Sequence, residues 1–284
     1  MNAVFLIVII LSIALQSVAQ KEYNKKTENG VFTFAAAGVF FAIPVFVIGV
    51  LGGFNFSAEI LPYALAFATV YSCATVFGFL AINSGPFSLT NLISSYSLIL
   101  PAIYGIALLD EPISIALIIG ILLLMCSLVF INCESKGEPK KITLKWIIFV
   151  FMAFVSNGSC CIVQRIQQIN CDGRYKNEFM IIALCVSTAV LGIIAVFKGK
   201  KRALSNLKKG YWWCLLRGVL NGIVNLLVIV LALKIPASVM FPIISAGGII
   251  TAVFIALFLY KEKLTRMQLA GLALGIVSVV FLNL

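Results

Sequence analysis

Long apolar runs, separated by short polar punctuation, occupy almost the whole chain. No Asp, Glu, Lys or Arg occurs between Glu59 and Asp110, an uncharged run of 50 residues. One membrane crossing needs about 20 apolar residues, so this run holds two crossings joined by a turn at Asn83-Ser84-Gly85-Pro86. Further charge-free stretches cover 1–20, 29–58, 112–133, 146–164, 179–197, 235–260 and 267–284, and Arg217 alone interrupts 211–233. The pattern predicts an all-α polytopic membrane protein with ten transmembrane helices. They fall near residues 3–20, 31–52, 61–83, 86–109, 112–132, 145–165, 178–197, 211–233, 236–260 and 266–284.

Composition agrees. Of 284 residues, 62% are hydrophobic and only 11% charged, against about 25% charged in a soluble domain. A bilayer resolves the excess, because lipid rather than water then faces the outer side chains. The net charge of +11 would suggest an acidic partner in a soluble protein. Here the cations lie in short loops and read as a topological signal and headgroup contacts, so no nucleic-acid partner is expected. Residues 1–20, ending Ser17-Val18-Ala19-Gln20, share features with a cleaved signal peptide but lack its positively charged start; they are read as span 1. The eight cysteines form no CxxC pair, and with no His and 10 acidic residues neither a metal site nor a cofactor is expected.

Self-similarity is the most informative signal. Residues 84–132 and 235–283 align at an offset of about 151: Glu111 matches Glu262, Gly120 matches Gly271, Asn132 matches Asn283, and Ile93-Ser94 matches Ile244-Ser245. More weakly, Gln20-Lys21 matches Gln164-Arg165. Spans 1–5 thus pair with spans 6–10, dividing the chain into five-helix repeats at 1–135 and 136–284. An odd helix count per half inserts the two halves with opposite orientation, the inverted-repeat plan in which a substrate site lies near the midplane between halves.

The paired units of span, Glu-bearing turn and Gly-bearing span resemble those of the drug/metabolite transporter superfamily, specifically its EamA-like ten-helix branch. The resemblance covers essentially the whole chain and is strongest at 84–132 and 235–283. It implies a transporter built from two inverted repeats. The chain departs from the family in lacking a Trp-Gly feature in span 1. It also lacks the intramembrane Glu that related small multidrug-resistance proteins carry in their first helix, which argues against their carboxylate-based proton antiport.

Polar groups within spans are costly and tend to line a cavity. Arg217, Asn221 and Asn225 recur every four residues on one face of span 8. Arg217 reads either as a cavity cation for a carboxylate or phosphate, or as an arginine snorkelling beside Tyr211-Trp212-Trp213. Gln16 and Gln20 in span 1, Asn91, Ser95 and Tyr96 in span 4, and Asn157 and Gln164 in span 6 line a cavity or glue helices together. Tyr71 and Tyr96 could stack on a planar ligand or fill space. Asp110 and Glu111 at a hairpin turn read as helix caps, with Pro112 in a first helical turn. Gly218-x-x-x-Gly222 and Gly271-x-x-x-Gly275 allow close helix approach. Pro101 and Gly247-Gly248 sit mid-span, where bending could gate a cavity.

With no His and its acids at the membrane edge, the chain lacks the clustered groups that an enzyme needs, and no GxxxxGK[ST] loop supports ATP-driven pumping. The expected function is secondary transport of a small organic metabolite or drug by alternating access. A flippase for lipid-linked substrates or a non-catalytic membrane protein is the alternative. The expected partners are a small-molecule substrate and membrane lipid, with homodimerisation left open, and the expected location is the cell membrane.

Sixteen of the twenty-one cations lie in the loops after spans 1, 5, 7 and 9. The positive-inside rule therefore places these loops in the cytoplasm and both termini outside, whereas the resemblance implies both termini inside. A reporter fused to the C-terminus should accordingly be reachable only from outside the cell; a cytoplasmic reporter reverses the assignment.

Overall fold

The computed structural model describes residues 2–27, 30–84, 90, 93–94, 96–132, 143–199, 202–258 and 265–282. Its helices are α1 (Asn2–Lys26), α2 (Val31–Phe40), α3 (Ile43–Ile48), a 3-10 turn at Ala58–Ile60, α4 (Leu61–Ser84), α5 (Ile99–Leu108), α6 (Ile115–Asn132), α7 (Leu144–Asn170), α8 (Lys176–Gly199), α9 (Arg202–Leu231), α10 (Ala237–Phe258) and α11 (Arg266–Leu282). No strand occurs among the described residues. Among the described residues, six helical stretches are long and apolar enough to cross a membrane, and shorter apolar helices occupy spans 4, 5, 9 and 10. The chain is an all-helical polytopic membrane protein. Helices suit lipid because each satisfies its own backbone groups, and side chains such as Ile115 and Phe197, each more than three-quarters exposed, are left for lipid to cover.

The helices outrun the apolar stretches. α1 continues through Lys25 and Lys26, where Lys25 pairs with Glu22 at 2.5 Å, and α7 continues to Asn170. The first segment is packed: Ile9, Ala19 and Tyr23 are fully buried. Span 2 instead breaks at Phe41-Ala42 into α2 and α3. Pro44 has no N–H to give the Phe40 carbonyl, and the local bonds shorten to Ala42 N–H→Val39 O and Val45 N–H→Ala42 O, both 3.2 Å.

The chain forms two compact units. One comprises residues 11–75 and 163–233, the other 1–10, 76–162 and 234–284. Each therefore draws on both sequence halves. In the first, α2 and α3 pack on α8 and α9. Gly218 and Gly222 of α9 seat that helix on the break in span 2: a Cβ at Gly218 would meet Phe41 and the Gly38 carbonyl, and one at Gly222 would lie 2.9 Å from the Ala42 carbonyl.

In the second unit α6 packs on α11, and α10 on α5 and α11. Ser127 Oγ donates to the Gly271 carbonyl at 2.6 Å, and Ser278 Oγ donates to the Gly120 carbonyl at 2.8 Å. Ser127 and Ser278 share the 151-residue offset that relates Gly120 to Gly271, so the two bonds are one contact made twice. The order of partners makes α6 and α11 antiparallel, since Gly120 faces Ser278 and Ser127 faces Gly271. A Cβ at Gly120 would lie 2.8 Å from Leu282, which keeps the pair close.

Glu111 is a cap, but for a distant helix. Its carboxylate accepts from the backbone N–H of Ala237 and of Ser238, both at 2.8 Å, at the start of α10. The following helix, α6, has Ser114 instead, whose hydroxyl accepts from Leu117 N–H at 3.0 Å. Asp110 is no cap: it takes φ 51°, the left-handed position of the turn, which Asp tolerates. Pro112 lies before α6 rather than within it. Glu262 and Asn283 lie outside the described residues. Glu111→Ala, which strips two charge-assisted bonds from a buried helix end, should destabilise the protein by about 2 kcal/mol. Asp110→Asn should change stability by less than ~0.5 kcal/mol, both read from thermal unfolding in detergent.

Candidate functional site

Spacing of four residues on an α-helix puts Arg217, Asn221 and Asn225 in one row, and that row is where polar chemistry collects within the unit of residues 11–75 and 163–233. Each member meets a different helix. Arg217 Nη1 donates to Gln20 Oε1 of α1 at 3.4 Å. Asn221 Nδ2 donates to Tyr71 Oη of α4 at 3.2 Å. Asn225 Oδ1 accepts from Gln164 Nε2 of α7 at 2.8 Å, while its own Nδ2 donates to the Asn221 carbonyl at 2.8 Å. Gln164 is buried, and its amide also reaches Met180 Sδ at 3.8 Å. The other members are half-buried, so the row is reachable at its edge and fixed at its base.

Arg217 is held over an aromatic face. Its guanidinium carbon lies 4.9 Å from the centroid of the Phe34 ring, a cation–π distance. Phe34 in turn stacks on Tyr23 at 4.5 Å. The stem of Arg217 lies where a side chain at Gly38 would sit, with a Cβ there 3.0 Å from Nε. Tyr211 and Trp212 are exposed, Trp212 at 75%. Tyr211 and Trp212 thus stay exposed while Arg217 is engaged by Phe34 and Gln20. Phe34 is a participant that no sequence pattern singled out, since aromatic residues are spread through every span.

Gln16 is half-buried on α1, one turn before Gln20 and on the same face. Tyr96 and Asn157 belong to the other compact unit and do not join the row. There, span 4 is broken: residues 97–98 form a turn immediately before α5. Ser97 Oγ donates to the Ser94 carbonyl at 2.6 Å and accepts from Asn157 Nδ2 at 2.5 Å. Leu100 N–H reaches only to the Ser97 carbonyl, at 3.1 Å. Pro101, three residues into the next helix, supplies no N–H to the turn. Gly158 lies beside the break, where a Cβ would be 2.6 Å from the Ser97 carbonyl. Tyr96 Oη donates to the Met125 carbonyl at 2.8 Å. By contrast α10 runs unbroken through Gly247-Gly248, and Gly247 makes room for Ile10. Asn91 and Ser95 lie outside the described residues.

A second polar feature, which the sequence did not flag, is a cavity of about 590 Å³ at the loops after spans 2 and 6. It is lined by Phe54, Asn55, Phe56, Arg174, Tyr175 and Glu178. Buried Glu178 accepts from Asn55 N–H at 3.3 Å, and Tyr175 takes φ 57°. Arg165, at the end of the expected span 6, is buried inside α7, and its Nη1 donates to the Ala232 carbonyl at 2.6 Å just past the end of α9. A cation there complements the helix C-terminus.

The row offers amide donors and acceptors, a phenol and one guanidinium. Such a set recognises a polar organic molecule, with a carboxylate or phosphate as the natural partner of the guanidinium. Residues 144–284 match the EamA-like transporter family. No curated protein sequence matches the chain. One crystal structure is similar over 99% of this chain and 95% of its own, with a TM-score of 0.77 and 11% sequence identity; at that identity the likeness concerns the fold.

Proposed function

Since the chain belongs to the EamA-like transporter family and is a membrane transporter of the drug/metabolite superfamily, we propose that it is a secondary transporter. It moves a small organic metabolite or drug by alternating access, through a cavity between two inverted five-helix repeats, 1–135 and 136–284. The observation that carries this reading is the row Arg217, Asn221 and Asn225. Its partners Gln20 and Tyr71 come from the first half and Gln164 from the second, so the polar groups of both halves converge on one face. The inverted arrangement is supported by the antiparallel contact of α6 and α11, in which each serine serves the glycine of the other copy. Contacts in which residue i meets j and j meets i are the mark of two-fold symmetry.

The substrate favoured by the row is anionic or zwitterionic. Proteoliposomes should be screened for uptake and export of amino acids, nucleosides and toxic cations. Arg217→Gln should lower transport of a carboxylate-bearing or phosphate-bearing substrate by roughly tenfold, the loss of one charge-assisted bond, while changing transport of a neutral analogue by less than about twofold. An equal loss for both would assign Arg217 to packing.

Span 4 is the element we assign to gating, because a helix already interrupted at residues 97–98 can change its bend by altering few hydrogen bonds. Pro101→Ala should change the transport rate more than it changes surface expression, measured on the same cells. An unaltered rate removes Pro101 from the gating step.

A further inference from the structure

The end of α1 and the start of α9 enclose a cavity of about 520 Å³ that is separate from the Arg217 row. Lys25, Lys26, Arg202 and Lys209 line it, together with Thr27 and the buried Asn206, and no acidic residue is among its described lining residues; Lys25 is paired with Glu22, and the Thr27 hydroxyl donates to the Tyr23 carbonyl at 2.9 Å. The walls are set by packing. Tyr23 is fully buried, donates through its hydroxyl to the Gly30 carbonyl at 3.2 Å, and presses its ring against Gly210, where a Cβ would run into ring carbons Cδ2 and Cε2. At Gly210 the backbone leaves helical geometry (φ −114°, ψ 17°). The segment Arg202–Lys209 is therefore turned relative to the transmembrane part of α9, and its Arg202 and Lys209 face the lysines of α1 across the cavity.

The cavity's depth in the membrane is marked by its neighbours. Tyr211 and Trp212 follow Gly210 and are exposed, as is Leu204 within the turned segment at 63%. Exposed Trp and Tyr at a span end lie at the headgroup level, and a short segment with basic and apolar sides lies in the interface. Lys26 is fixed over Trp213, 5.8 Å from the ring centroid, at that same level. Both lining segments follow odd-numbered spans, the cation-rich set of loops.

We propose that this cavity binds the phosphate of an anionic membrane lipid. Lys26, Arg202 and Lys209 with the amide of Asn206 supply the charge and the donors that a phosphodiester needs, while exposed Leu204 and Trp212 supply apolar surface for the acyl chains. A free phosphate would use the same cations without the apolar surface, so the lipid is the occupant that uses the whole site. The site stands apart from whatever the Arg217 row transports.

The test uses the full chain purified in an uncharged detergent, with thermal unfolding as the readout. Dihexanoyl-phosphatidylglycerol should raise the midpoint, and dihexanoyl-phosphatidylcholine and inorganic phosphate at equal concentration should not. In the variant Lys26→Gln/Arg202→Gln/Lys209→Gln the apparent affinity for phosphatidylglycerol should fall by roughly fivefold per cation removed, about a hundredfold in all. A control, Lys198→Gln/Lys234→Gln, should bind as the wild type does. An equal shift with phosphatidylcholine, or full affinity in the triple variant, overturns the proposal. An equal shift with inorganic phosphate overturns the lipid as occupant. If the triple variant does not fold, the wild-type chain decides: raising NaCl from about 50 to about 500 mM should weaken phosphatidylglycerol binding severalfold, and a salt-independent shift refutes the site.

Discussion

Two hydroxyl-to-carbonyl bonds across one helix pair organise the unit that contains α5, α6, α10 and α11. In lipid no hydrophobic force pulls apolar helices together, because the tails are as apolar as the side chains. Helices associate there through close packing and through polar bonds that would otherwise go unmade. Ser127 and Ser278 supply such bonds, and Gly120 and Gly271 supply the bare backbone that lets them form. Once α6 and α11 are joined, Leu124 and Leu128 close around Ala246 of α10. The turn that leads into α6 then brings Glu111 onto the first amides of α10. The register of one pair thereby fixes where a third helix begins.

How much of this could be read beforehand depends on whether the cause is local. Apolar runs are local, so the all-helical polytopic architecture was legible. Span ends were not, because helical hydrogen bonding continues past the last apolar residue while a side chain such as Lys25 finds Glu22 one turn away. The early stop of span 2 was written in Pro44 and the glycines after it, although its length alone suggested a continuous helix to residue 52. Glu111 shows the limit most clearly. Its chemistry as a helix cap followed from residue type and turn position, but its partner lies 126 residues away and belongs to the other sequence half. Nothing in the neighbourhood of Glu111 could indicate that.

The polar row follows the same rule. The four-residue spacing of Arg217, Asn221 and Asn225 announced a shared face, and Gln164 and Tyr71 stood out as polar groups within spans. Which of them would touch required the fold. Phe34 is one of 22 phenylalanines and gains its role only through the guanidinium above it. Tyr96 and Asn157 carried the same kind of signal as the row, yet they serve the interrupted span 4, where Asn157 steadies the Ser97 turn. Polarity within a span thus marked places where the backbone or an arginine needed a partner, and it did so in both units.

The seat of Glu111 at the start of α10 has an electrostatic consequence. The amino end of a helix carries roughly half a positive charge, and broken or re-entrant helices in membrane carriers often turn such an end toward an anionic cargo. Here a carboxylate of the protein already occupies that end, and both of its oxygens are engaged by amides. The dipole of α10 is neutralised from within, so it exerts little pull on a passing anion. Attraction of negative charge is left to side-chain cations, whose strength and position a single substitution can retune without disturbing a helix.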